Sequence, residues 1–196
     1  FWDPIMSEAK NYFDIANIHS IDTREDREDL YILEFKEFLK KHGAEKPIWV
    51  TEAQFGRLEK PVDKSMHPLI VKSAILALAL GADKIFFISD NWKTGETFKV
   101  YETLVKMLND FNKVEILELD YIRNKDKDSG ITSIKGLFKF TGDNKTVYVA
   151  WGNINLTKHL KRTVKVIDIY GNEKIVNVKD VNLSNTPVYI QPISQG

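Results

Sequence analysis

Through its first 112 residues the chain alternates short, continuous apolar runs with longer stretches whose apolar positions recur at helical spacing. The runs are YFDIANIHSI (12–21), KPIWVTE (46–52) and KIFFISDNW (84–92). Continuous rather than alternating apolarity predicts strands buried on both faces, as in parallel sheets. Between the first two runs lies DTREDREDLYILEFKEFLKKHG (22–43), in which Leu30, Leu33, Phe38 and Leu39 recur near helical spacing. Acids crowd its front and lysines precede Gly43, a charge order that favours the helix dipole. HPLIVKSAILALALG (67–81) predicts a second helix, apolar on all sides and therefore covered on more than one of them. ETFKVYETLVKMLNDF (96–111) predicts a third, amphipathic one.

Beyond residue 112 the period changes from helical to two. VEILELDYI, ITSIKGLFKFTG, KTVYVAWG, RTVKVIDIYG, EKIVNVKDVNL and TPVYIQPI are short β-type runs separated by turn text such as TGDNK, YGNE and LSNTP. No helical pattern intervenes. This predicts an α/β segment over residues 1–112 and an antiparallel β-sandwich domain over residues 113–196.

Composition removes several functions. Lys plus Arg and Asp plus Glu are both 28, so no global charge attracts nucleic acid or an anionic membrane. There is no cysteine, hence no disulfide, thiolate nucleophile or Cys-ligated metal. The longest apolar stretch, 74–80, is too short to span a bilayer. No G-x-G-x-x-G follows a strand, and no G-x-S-x-G elbow is present. Asn144 and Asn155 open N-x-T sequons, compatible with export, and localisation stays open. The chain begins at Phe1 rather than Met, which reads as a processed product or a fragment.

What remains stands at the C-terminal ends of the three predicted parallel strands, where loops converge to build active sites. The first ends in His19, the second in Glu52, the third in Asp90 and Trp92. Each has a structural alternative. His19 could be a packing residue, Trp92 a core cap, and Glu52 a helix cap or ion-pair partner. Together they suit acetal cleavage, which needs carboxyl groups about the anomeric carbon and aromatic faces for the sugar ring. A metal centre fits less well, because His19 has no second histidine at helical or strand spacing, and His42, His67 and His159 fall at helix ends or turns. No cofactor is expected.

YFDIANIHSID, KPIWVTEAQFG and ALGADKIFFISDNW together resemble the last three strands of the (β/α)8 TIM barrel in the retaining clan-A glycoside hydrolases. The resemblance implies that Glu52 is the catalytic nucleophile. It makes His19 a residue that hydrogen-bonds the nucleophile or the sugar and Trp92 a stacking platform, with Asp90 and Gln54 as further substrate-binding positions. The β-type tail is similar to the sandwich that several such families append to the barrel. Two features depart from the pattern. The clan's Asn-Glu acid/base pair is absent upstream of Tyr12, Asn172-Glu173 being turn text, and Ile21 stands where an aromatic is common. Only three of a barrel's eight βα units are accounted for.

The expectation is therefore the C-terminal portion of a retaining O-glycosidase that lacks its acid/base residue and is inactive alone. Its partners would be a carbohydrate substrate and either a missing N-terminal barrel segment or a second copy. The alternative is a non-catalytic carbohydrate-binding or scaffold protein derived from such a barrel. A weaker third reading is an unrelated α/β domain joined to an adhesive sandwich.

Overall fold

The computed structural model describes residues 2–92, 95–124 and 130–193. The first part runs α1 (Trp2–Ala9), β1 (Ala16–Thr23), α2 (Ile32–Lys41), β2 (Ile48–Phe55), α3 (His67–Leu80), β3 (Ala82–Phe87) and α4 (Gly95–Leu108). Six strands follow: β4 (Phe111–Arg123), β5 (Ile131–Gly142), β6 (Thr146–Trp151), β7 (Thr163–Ile167), β8 (Glu173–Asn177) and β9 (Val188–Pro192). Among the described residues the second part contains no helix longer than a single 3₁₀ turn.

β1, β2 and β3 form a parallel sheet whose spatial order follows the sequence, as right-handed βαβ crossovers require. No barrel closes: the described sheet has three strands, and β1 and β3 each pair on one side only. The expected first strand also starts later than its apolar text. Tyr12 is 88% exposed and Ile15 39% exposed, and the strand begins at Ala16, whose amide hydrogen-bonds the Pro47 carbonyl at 2.9 Å. The residues before it sit in turns and bends with no neighbouring strand to pair with.

α3 is the hub. Its Leu69, Ile70 and Ala77 join the core beneath the parallel sheet, while Val71, Ala74, Ile75 and Leu76 join the core facing the second sheet. A helix apolar all round is thereby covered on two sides. It stops where Gly81 turns to φ +119° and donates to the Ala77 and Leu78 carbonyls at 3.1 and 3.3 Å, a conformation that costs glycine no Cβ clash.

The antiparallel part differs from two facing sheets. It is one six-stranded sheet in the order β4-β5-β6-β9-β7-β8. β9 makes it continuous, because Ile190 pairs with Tyr148 on one side and with Val166 on the other. Alternation still buries both faces. Phe138, Val149, Ile167 and Tyr189 enter the core under α3 and α4; their neighbours Leu137, Ala150, Val166 and Ile190 enter a separate core with Leu156, Leu160 and Val178.

Candidate active site

Parallel pairing places His19 directly opposite Glu52, after an irregularity between Ile18 and His19 that shifts the register by one residue. The His19 Nδ1 to Glu52 Oε2 distance is 3.7 Å, with the two side chains 49% and 46% exposed. Among the described residues Glu52 forms no ion pair with lysine or arginine. Its carboxylate is thus accessible with an imidazole beside it, but the strands do not end on these two residues as expected: β1 runs on to Thr23 and β2 to Phe55. Thr51 keeps an intermediate burial, and its hydroxyl is buried with no partner among the described residues.

The other expected site residues are placed differently. Gln54 is 6% exposed and its amide donates to the Gly56 carbonyl at 2.8 Å, which ties it to the β2 exit rather than to solvent. Trp92 is 2% exposed. Its ring centroid lies 5.9 Å from Phe87, 5.4 Å from Tyr101 and 5.9 Å from Phe98. In this arrangement it is a core residue presenting no open face to a sugar, and its indole N–H is buried without a partner among the described residues. Asp90 is exposed on the turn after β3, and the described ion pairs link it to neither His19 nor Glu52.

Asn91 carries a role that motif reasoning missed. It is fully buried, and its amide donates to the carbonyls of Phe55 at 2.8 Å and Arg57 at 3.3 Å. Its backbone carbonyl accepts from Val62 N–H at 3.2 Å. Asn91 therefore staples the exits of β2 and β3 together. The adjacent polar text of Asn91 beside Trp92 was the available signal, but the contact spans the two strands and has no sequence period.

The remaining histidines are structural. His67 is fully buried at the start of α3, with Nδ1 3.0 Å from the Tyr170 hydroxyl and Nε2 3.0 Å from Thr97 Oγ1. Burial holds its pKa below the usual 6.5. His42 meets Asp3 at 2.7 Å, and His159 meets Glu118 at 2.8 Å. No group of three or more His, Asp or Glu suited to a metal ion occurs among the described residues.

Two surface grooves lie away from Glu52. One, of about 320 Å³, runs along the unpaired side of β3 against Leu78, Tyr101, Leu104 and Leu108. The other, of about 500 Å³, is lined by Asn153, Asn182, Ser184 and Asn185 on the antiparallel sheet. Toward the N-terminal end of β2 the half-buried Trp49 meets the exposed Phe86 with ring centroids 5.9 Å apart, and Lys84 Nζ lies 4.4 Å above the Trp49 ring.

No family model matches the chain, and no curated protein is significantly similar to it. No helix of the described residues is long and apolar enough to cross a membrane.

Proposed function

We propose that this chain is the C-terminal portion of a retaining glycoside hydrolase in which Glu52 is the nucleophile. The observation that carries the reading is the placement of Glu52: a half-exposed carboxylate on a parallel strand, three residues before its C-terminal end, opposite His19 and, among the described residues, with no lysine or arginine on it. A nucleophilic carboxylate has to reach the anomeric carbon while ionised, so it must be accessible and must not be locked into a salt bridge. His19 can hydrogen-bond that carboxylate or a sugar hydroxyl. The sides of β1 and β3 left unpaired among the described residues, and the exposed Phe86 on β3, fit completion by further parallel βα units or by a second copy. The acid/base carboxyl would enter with those units, and the chain alone would not turn over.

The second reading is a non-catalytic carbohydrate-binding or scaffold protein derived from such a barrel. The burial of Trp92 favours it, because the ring offered for stacking is committed to the core. An activated 2-fluoro aryl glycoside separates the two. Incubated with the protein completed by its other barrel strands, it should leave a glycosyl group esterified to the peptide carrying Glu52, read by mass spectrometry. Labelling of a different carboxylate, or none beside a working positive control, contradicts the nucleophile assignment.

A further inference from the structure

β1 is an edge strand, so only β2 fixes His19 from one side. Its exit is secured elsewhere. Ser20 and Thr23, both fully buried, bond through their hydroxyls at 2.8 Å, and Asp22 between them takes a left-handed φ of +53°. The segment that follows, residues 24–30, is then bound along its length to the start of β5 and the end of β4. Thr132 Oγ1 donates to the Glu25 carbonyl at 2.8 Å, and Asn124 Nδ2 to the Asp26 carbonyl at 2.8 Å. Glu28 N–H donates to the Ile131 carbonyl at 3.0 Å, and Ile131 N–H to Asp29 Oδ1 at 3.3 Å. Gly130 packs so closely that a Cβ there would lie 2.6 Å from Arg27 Cα.

The centre of this seam is Glu28, 3% exposed. Its Oε2 accepts from Ser133 N–H at 2.7 Å and from the Ser133 hydroxyl, to which Trp151 Nε1 donates at 3.0 Å. Its Oε1 faces Lys72 Nζ at 3.3 Å. Lys72 in turn donates to Asn185 Oδ1 at 2.8 Å. A buried carboxylate with three donors is a rigid fixture, because each lost bond leaves a desolvated group.

We infer that Glu28 is a positioning residue for the rim: through it the antiparallel sheet holds the exit of β1, and with it the approach of His19 to Glu52. The inference rests on the reading of His19 and Glu52 as a site, yet the geometry it asserts can be measured without turnover. The alternative is a merely structural seam, which would affect global stability and leave the rim unchanged.

The full 196-residue chain suffices for the test. Three proteins are compared with wild type: Glu28→Met combined with Lys72→Met, which removes the anchor without stranding a buried charge; Ser133→Ala; and the milder Thr132→Val with Asn124→Ala, which cuts only the peripheral bonds. Hydrogen exchange followed by mass spectrometry reads residues 16–31 against β8 as an internal reference, and NMR reads the His19 ring protons. The expected result is exchange in 16–31 accelerated by about tenfold or more relative to β8. The His19 ring resonances should shift toward those of a Glu52→Gln protein, which lacks the carboxylate partner. Uniform acceleration of both segments, or His19 resonances unmoved in every folded variant, overturns the positioning role. If His19 shifts as expected but the glycoside labels no peptide containing Glu52, the positioning stands and the glycosidase reading falls.

Discussion

Replacing Lys72 by Met should be among the most damaging single changes in the molecule, although it swaps one flexible, unbranched side chain for another. Lys72 lies on α3, 3% exposed, with Nζ 3.3 Å from Glu28, 2.8 Å from Asn185 Oδ1 and 5.7 Å from the Trp151 ring centroid. Its loss leaves the Glu28 carboxylate in a 3% exposed site with only the Ser133 donors to offset its desolvation. Breaking one side of such a buried pair costs about 3–5 kcal/mol, whereas replacing both partners with neutral groups is often close to neutral. At this chain length each kcal/mol shifts the melting temperature by roughly 2–4 °C, so Lys72→Met should melt roughly 6–20 °C lower. Glu28→Gln keeps an acceptor for Ser133 and, added to Lys72→Met, should restore most of that loss. The assay is urea unfolding of wild type, both single variants and the double variant. A Lys72→Met loss below about 1 kcal/mol, the range of an exposed pair, refutes the reasoning. So would a double variant whose loss is the plain sum of the two singles, because residues in one network couple by about 0.5–3 kcal/mol.

His67 gives a pH dependence. Burial lowers its folded pKa below the usual 6.5, so in the window between the two values the unfolded chain holds the extra proton. Its contribution is therefore complete above about pH 6.5 and is lost as pH falls toward the lowered value; thermal melts across that window should show the loss, and His67→Gln should flatten it. Gly136→Ala would put a Cβ 2.5 Å from a Phe138 ring carbon and 2.7 Å from Trp151, so chemical denaturation should show a loss of about 1–3 kcal/mol or more. Gly43→Ala meets no atom within 4 Å and bears only its φ of +62°, so the same assay should show about 1 kcal/mol. Glu52→Ala, at a half-exposed position on β2, should leave stability within about 0.5 kcal/mol of wild type.

The parallel order of β1, β2 and β3 and the six antiparallel strands were legible because apolar period survives in sequence. α3 between two cores was legible for the same reason: its apolarity on every side has no other solution. Local text misled at residues 12–15, which are as apolar as a strand but have no neighbour to pair with. α1 was missed because eight residues are too few to establish a helical period. The merging of the antiparallel strands into one sheet depends on β9 pairing with both β6 and β7, a contact between segments some forty residues apart in the first case. The opposition of His19 and Glu52 followed from parallel pairing of the two strands, although each strand runs on past it, to Thr23 and Phe55. Trp92 did not follow, because whether a tryptophan after a strand turns outward or inward depends on Phe87, Phe98 and Tyr101, and here those rings enclose it. Glu28 and Lys72 were invisible as a pair. They are 44 residues apart, and each reads as an ordinary helix-surface charge.

Glu52 itself is tested most directly by chemical rescue. In the enzyme completed by its other barrel strands, Glu52→Ala should fold normally and lose turnover of an activated aryl glycoside. Azide should then restore cleavage and yield a glycosyl azide of configuration opposite to the substrate, since a small anion in the vacated space attacks the same carbon from the same side. Full activity in Glu52→Ala without azide, or rescue only when a different carboxylate is removed, would contradict the account at its central residue.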